Sequence, residues 1–203
     1  MKNNGKSKGR KIPEILTGLE QNQILNQFNT STLSGLRNYA IIKVFLDCGL
    51  RAAELINLRH RDIDLSTGRL WVRQGKGRKD RGLWFNGTTG AALQAWFAIK
   101  PSSSSTRLPS SILLFTSLDG TKPLCGRWLR KLVTRLATQA GIDKRIHPHT
   151  LRHTFATNLL RQEKNLFTVM KALGHANLST TQIYLHLEDE ELEAAMKKLG
   201  NGG

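Results

Sequence analysis

The chain has 203 residues, enough for one domain with a sizeable core, and its 31 Lys and Arg against 15 Asp and Glu leave a net charge of +16. A field of that size selects a polyanion, with nucleic acid ahead of an acidic protein or a membrane surface. Cys48 and Cys125 each stand alone, which excludes a disulfide framework and a CxxC metal site, and the longest apolar run, "YAIIKVFLDCGL", is too short to span a bilayer and carries Lys43 and Asp47. The expected setting is a reducing cytosol, on the nucleoid if the source is prokaryotic, with no membrane partner.

Residues 1–11 hold five basic residues and no acid, and read as a flexible arm or linker. In "LTGLEQNQILNQF", Thr17 stands three residues before Glu20, a capping box that predicts a helix. Leu36, Tyr39, Ile42 and Leu46 recur at helical spacing and predict a second helix from Thr32 to Cys48, stopped by Gly49. A short helix follows over 51–58. "GRLWVRQGKGRKDRGLWF" then changes period, and predicts a hairpin over 69–86 with its tip near Gly77 to Asp80. "TGAALQAWFAIK" returns to helix, "PSSSSTRLPSS" is a loop, and "ILLFT" is a candidate short strand. From Pro123 the chain reads helical, with Leu124, Trp128, Leu132 and Leu136 on one stripe and Arg127, Arg130 and Lys131 off it as candidate DNA contacts. Further helices are expected over 149–162, 165–173, 180–186 and 188–198. The fold class is α+β, mostly α, with a small three-stranded antiparallel sheet.

Four stretches carry candidate chemistry. In "GLRAAEL", Glu54 lies one turn beyond Arg51 and can hold its guanidinium while leaving donors for a phosphate; a surface ion pair would leave the same pattern. In "RQGKGRKDR", glycines flank Lys76, and Arg73, Arg78, Lys79 and Arg81 surround it with positive charge, as a phosphate-contacting hairpin requires; a lysine there can also protonate a leaving oxygen. "IHPHTLRHTFATNLL" places His149 and Arg152 on one helix face, a donor set for an oxyanion. His149 and His153 have the spacing of a zinc pair without the glutamate that a metallohydrolase needs, so no metal is expected. In "LGHANLSTTQIY", Gly174 ends a helix, His175 follows, and Ser179 with Gln182 caps a new helix that carries Tyr184.

Together the four stretches resemble the tyrosine recombinase family, the phage-type integrases and Xer-like recombinases, over about Lys11 to Leu199. "GLRAAEL" looks like its first arginine box, "GKGRKDR" its hairpin lysine, "HPHTLRHTFATNLL" its His-x-x-Arg box and "LGHANLSTTQIY" its histidine-to-tyrosine box. The resemblance implies an active site of Arg51, Lys76, His149, Arg152, His175 and Tyr184, with Glu54 in support; His147 and His153 lie beside the box without fitting its spacing. It implies site-specific DNA strand exchange through a 3′-phosphotyrosyl intermediate, with double-stranded DNA as partner and with no cofactor, metal or ATP. A DNA-binding accessory protein and a type IB topoisomerase are the alternatives.

The expected organisation is an arm at 1–11, a catalytic domain at 12–187, a C-terminal helix at 188–199 and a tail at 200–203. Members usually carry a helical core-binding domain ahead of this region, where only the basic arm stands here; the chain is either a catalytic piece or a single-domain member. Five of the fifteen acids fall within 188–193, and Leu192, Ala195, Met196 and Leu199 form an apolar stripe beside them. That stripe packs on its own domain or, as the resemblance implies, on a neighbouring protomer in a dimer or tetramer on DNA.

Overall fold

The computed structural model describes residues 13–73, 80–100 and 112–175, together with Thr181 and Tyr184. The basic arm, the hairpin tip, the serine loop and the C-terminal helix lie outside the described residues. Helix α1, Gly18–Leu25, begins at the predicted capping box: Thr17 Oγ1 accepts from the Glu20 amide, and Glu20 returns the bond to the Thr17 amide. Lys144 reaches over to this turn, 2.7 Å from both Glu20 and the Ile15 carbonyl, and ties it to the loop before a later helix.

Helix α2, Leu33–Cys48, is the centre of the molecule and packs on three sides, from Ala40 through Phe45, so its sequence is apolar with little amphipathic contrast. Such a helix must end cleanly, and Gly49 ends it in the left-handed region at φ 56° with its amide bonded to the Phe45 carbonyl. Tyr39 packs edge-on to Phe28, as an apolar-run tyrosine should.

Helix α3, Ala52–Ile56, and a 3-10 turn at His60–Asp62 lead into an antiparallel sheet of β1 (Ile63–Asp64), β2 (Arg69–Val72) and β3 (Arg81–Trp84). The β2–β3 hairpin pairs Arg69 with Trp84 and Val72 with Arg81. Leu70, Val72 and Leu83 point into the core, while Arg69 lies across the outer face, 4.0 Å from the Trp71 ring, in the space left by Gly82.

The third strand is Ile63–Asp64, so the "ILLFT" expectation needs correction. Residues 112–116 form only isolated bridges, Leu113 to Arg59 and Thr116 to Pro123. Leu114 and Phe115 are fully buried, and the Leu114 carbonyl accepts from the Trp96 indole. The segment is apolar because it threads the core, and its backbone pairs only briefly with residues 58–60, the Leu114 amide donating to the Leu58 carbonyl and the His60 amide to the Ile112 carbonyl.

Helices α4 (Gly87–Ile99), α5 (Gly126–Gln139), α6 (Pro148–Glu163) and α7 (Leu166–Leu173) complete the fold. On α5 the buried face is Leu129, Leu132, Val133, Leu136 and Ala137, and Arg127, Arg130, Lys131 and Arg135 are all exposed. Among the described residues, no helix is long and apolar enough to cross a membrane.

Candidate active site

Three chain ends converge on one place: the turn after α2, the first two turns of α6 and the turn after α7. Each end is set by a local rule. Gly49 releases α2 into Arg51; His147 caps α6, with Pro148 at its first position; Asn165 caps α7, accepting from the Phe167 and Thr168 amides, and Gly174 ends it at φ 62°.

Arg152 is the most buried of the arginines at this place, 6% exposed. Its guanidinium donates to the Gly49 carbonyl at 2.6 Å and to the Leu173 carbonyl at 2.8 Å, so it fills the negative ends of two helices at once. A third contact, 3.2 Å to His175 Nε2, makes that nitrogen an acceptor, and leaves Nδ1 to donate to Thr181 Oγ1 at 3.0 Å. Burial first, and then the Arg51 charge, push Arg152 down to about 10, which leaves it charged at neutral pH. His175 falls to about 4 through burial and the charges of Arg152, Arg51 and Arg81, so its ring is neutral.

Glu54 organises the cations. It is 9% exposed in its side chain and accepts from the Arg51 amide at 2.8 Å, from Arg51 Nη1 at 2.8 Å and from both terminal nitrogens of Arg81 at 2.9 and 2.8 Å; Arg152 stands 3.9 Å away. Burial alone would raise its pKa. Hydrogen bonds from Arg81 and the Arg51 amide, with the Arg81 charge, override it and hold Glu54 at about 2. Three guanidinium groups thus share one carboxylate, and two positive charges are left over for an anion.

Tyr184 is 2% exposed and packs with Ala156, Leu160, Val169 and Leu173, the inner faces of α6 and α7. Its hydroxyl lies 2.6 Å from His153 Nδ1. Burial pushes the phenol up to about 12 and drives His153 down to about 4, so both are neutral and the phenol donates to the imidazole. His149, one turn earlier, is exposed and set edge-on to His147, with its pKa lowered by partial desolvation and by His147, Arg152 and Arg51.

The structure therefore brings together Arg51, Glu54, Arg152 and His175, with Tyr184 beside them and His149 at the rim. Lys76, Arg78 and Lys79 lie outside the described residues, as do Ser179 and Gln182; Tyr184 does donate its amide to the Thr181 carbonyl, 3.0 Å, as a tight turn requires. Arg73 is half-exposed and bonded to Asp62 at 2.6 Å. Arg81, expected beside DNA phosphates, instead turns inward to Glu54, because the register of β3 points it at the core side. His153 is the contact to Tyr184 that spacing missed. Its place four residues after His149 was a signal, but its partner lies 31 residues further on. Among the described residues, no group of three or more His, Cys, Asp or Glu is arranged to hold a metal ion.

A family model described as the phage integrase family matches residues 14–191. The tyrosine recombinase XerC of Serratia marcescens is 35% identical over 184 residues, 91% of this chain and 58% of the relative. A tyrosine recombinase of Thermosipho africanus is 38% identical over 194 residues, 94% of this chain and 63% of the relative. The chain thus spans 58 to 63% of these relatives' length. Among solved structures, XerA recombinase matches with a TM-score of 0.78 at 33% identity, covering 93% of this chain and 65% of that one. A post-cleavage complex of XerH site-specific recombinase with palindromic difH substrate matches with a TM-score of 0.77 at 30% identity, covering 95% and 55%.

Proposed function

Because this chain belongs to the phage integrase family and carries the tyrosine recombinase catalytic fold, we propose that it breaks and rejoins DNA strands through a covalent 3′-phosphotyrosyl intermediate. The observation that carries this reading is the convergence of Arg51, Arg152, His175 and Tyr184 on one place, from positions up to 133 residues apart in sequence.

A phosphodiester is anionic and repels nucleophiles, so the barrier falls when fixed cations meet the charge that grows on its non-bridging oxygens. Arg51 and Arg152 supply them, already oriented by Glu54 and by helix-end carbonyls. His175 turns a donor toward the phosphate once the anion raises its pKa. The Tyr184 oxygen then attacks phosphorus: the new O–P bond forms, the bond to the 5′ oxygen breaks, the phenolic proton passes to a neighbouring imidazole, and Lys76 protonates the departing oxygen. A 5′-hydroxyl from a second strand reverses the same steps, and bond energy is conserved without ATP.

Double-stranded DNA is the proposed partner, held by the basic face of α5 and by the hairpin. Self-association on DNA belongs to the same reading. A trough of about 1200 Å³ between β3, α6 and α7, lined by Trp71, Trp84, Phe155, Leu159, Phe167 and Met170, offers an apolar seat for the stripe of residues 188–199 of a neighbouring protomer.

The test is a suicide duplex nicked beside the cleavage site, incubated with the protein in EDTA. A detergent-resistant protein–DNA adduct is expected, and is absent from Tyr184→Phe. An undiminished adduct in that variant sinks the assignment.

A further inference from the structure

We propose that Arg81 is a positioning residue for DNA cleavage, one that locks Glu54 and the turn bearing His175 into a single unit rather than touching DNA. The inference rests on the strand-cleavage reading above and goes beyond it, since position 81 lies in none of the four boxes' reacting groups.

Every nitrogen of the Arg81 guanidinium is occupied inside the protein. Nη1 and Nη2 make parallel bonds to the two Glu54 oxygens at 2.9 and 2.8 Å, and Nε donates to the Ala172 carbonyl at 2.9 Å. Its side chain is 10% exposed. A planar fork on a carboxylate fixes the plane of that carboxylate, which a point charge such as ammonium does not. With the Glu54 plane fixed, its lone pairs face the Arg51 amide and Nη1, and Arg51 Nη2 is directed to the Gly174 carbonyl at 3.4 Å.

The guanidinium also lies flat against the turn after α7. A Cβ placed on Gly174 would stand 3.0 Å from Arg81 Nη1 and 3.1 Å from Cδ. Gly174 thus serves two needs, a left-handed helix end and a close approach, and His175 follows it directly. Arg81 opens β3, paired with Val72, so the strand returning from the segment that carries Lys76 is pinned to the same carboxylate.

Charge makes the arrangement functional. With Arg81 absent, Glu54 has spare lone pairs within 3.9 Å of Arg152, and the carboxylate swings toward it, neutralising a cation meant for the phosphate.

The experiment measures single-turnover adduct formation on the nicked duplex and DNA affinity as a function of salt, for wild type, Arg81→Ala and Arg81→Lys. Arg81→Ala is expected to cut the adduct rate at saturating DNA by about 10- to 100-fold with the affinity and its salt slope unchanged, and Arg81→Lys to lose about tenfold. In the Glu54→Gln background, Arg81→Lys is expected to add little further loss. Weaker binding with a salt slope flatter by about 1, at an unchanged saturated rate, makes Arg81 a DNA contact and overturns the proposal. If Arg81→Ala fails to fold, Arg81→Lys decides: a wild-type rate in that folded variant also overturns it. A wild-type adduct beside an undiminished variant defeats only the role of Arg81, whereas no wild-type adduct defeats the cleavage reading and this role with it.

Discussion

Tyr184 and His153 form a buried pair, with the phenol hydroxyl 2.6 Å from the imidazole Nδ1. A tyrosine that is 2% exposed, with its hydroxyl on a neutral imidazole, must leave its pocket to serve as the proposed nucleophile on a DNA phosphate. Removing the imidazole leaves a buried hydroxyl without its partner, at a cost of about 1–3 kcal/mol. His153→Ala is therefore expected to raise tetranitromethane labelling of Tyr184 about tenfold relative to Tyr39, the other tyrosine of the chain, as read by mass spectrometry. An unchanged ratio of the two means that His153 does not hold the phenol. At this scale the sequence was legible where chemistry is local. Arg51 with Glu54 is an i, i+3 pair and Arg152 follows His149 by one turn. His153 was not legible, and neither was the inward turn of Arg81, because both depend on partners brought from more than 25 residues away.

Secondary elements deliver these side chains through their ends rather than their middles. The carbonyls left over at the ends of α2 and α7 are filled by Arg152, so helix termini and a buried cation complete each other. Gly49 shows how little freedom this leaves: its φ is 56°, its carbonyl accepts from Arg152, and an added Cβ would overlap the Phe155 ring. Gly49→Ala should cost about 2–4 kcal/mol from the left-handed penalty and the overpacking. Thermal denaturation should show a fall of roughly 5–15 °C, with adduct formation lost in parallel. A melting temperature within measurement error of wild type refutes this account. Helix starts and stops were readable from Thr17, Thr32, Gly49 and Gly174, whose roles are local. The "ILLFT" segment misled because a short apolar run has the same composition in a sheet and in a core crossing.

Over the whole molecule, a charge of +16 is distributed so that the cations on α5 face outward while those at the site are held by Glu54 and helix ends. Each lost phosphate contact flattens the dependence of log affinity on log salt by about 0.9. A triple variant, Arg127→Ala, Arg130→Ala and Lys131→Ala, is expected to flatten it by about 2 to 3 while leaving the melting temperature nearly unchanged, because all three side chains lie off the buried face. Fluorescence anisotropy at several salt concentrations measures it, and a wild-type slope removes this face from the DNA interface. By itself the sequence determined the family and, among the described residues, the helices and most of their caps, because these follow from motifs, from periodicity and from residues a turn apart. Only the tertiary structure decided which imidazole holds the phenol, which arginine is structural, and that one carboxylate serves three cations. Those are contacts between chain segments, and their geometry exists only once α2, α6, α7 and the sheet have packed.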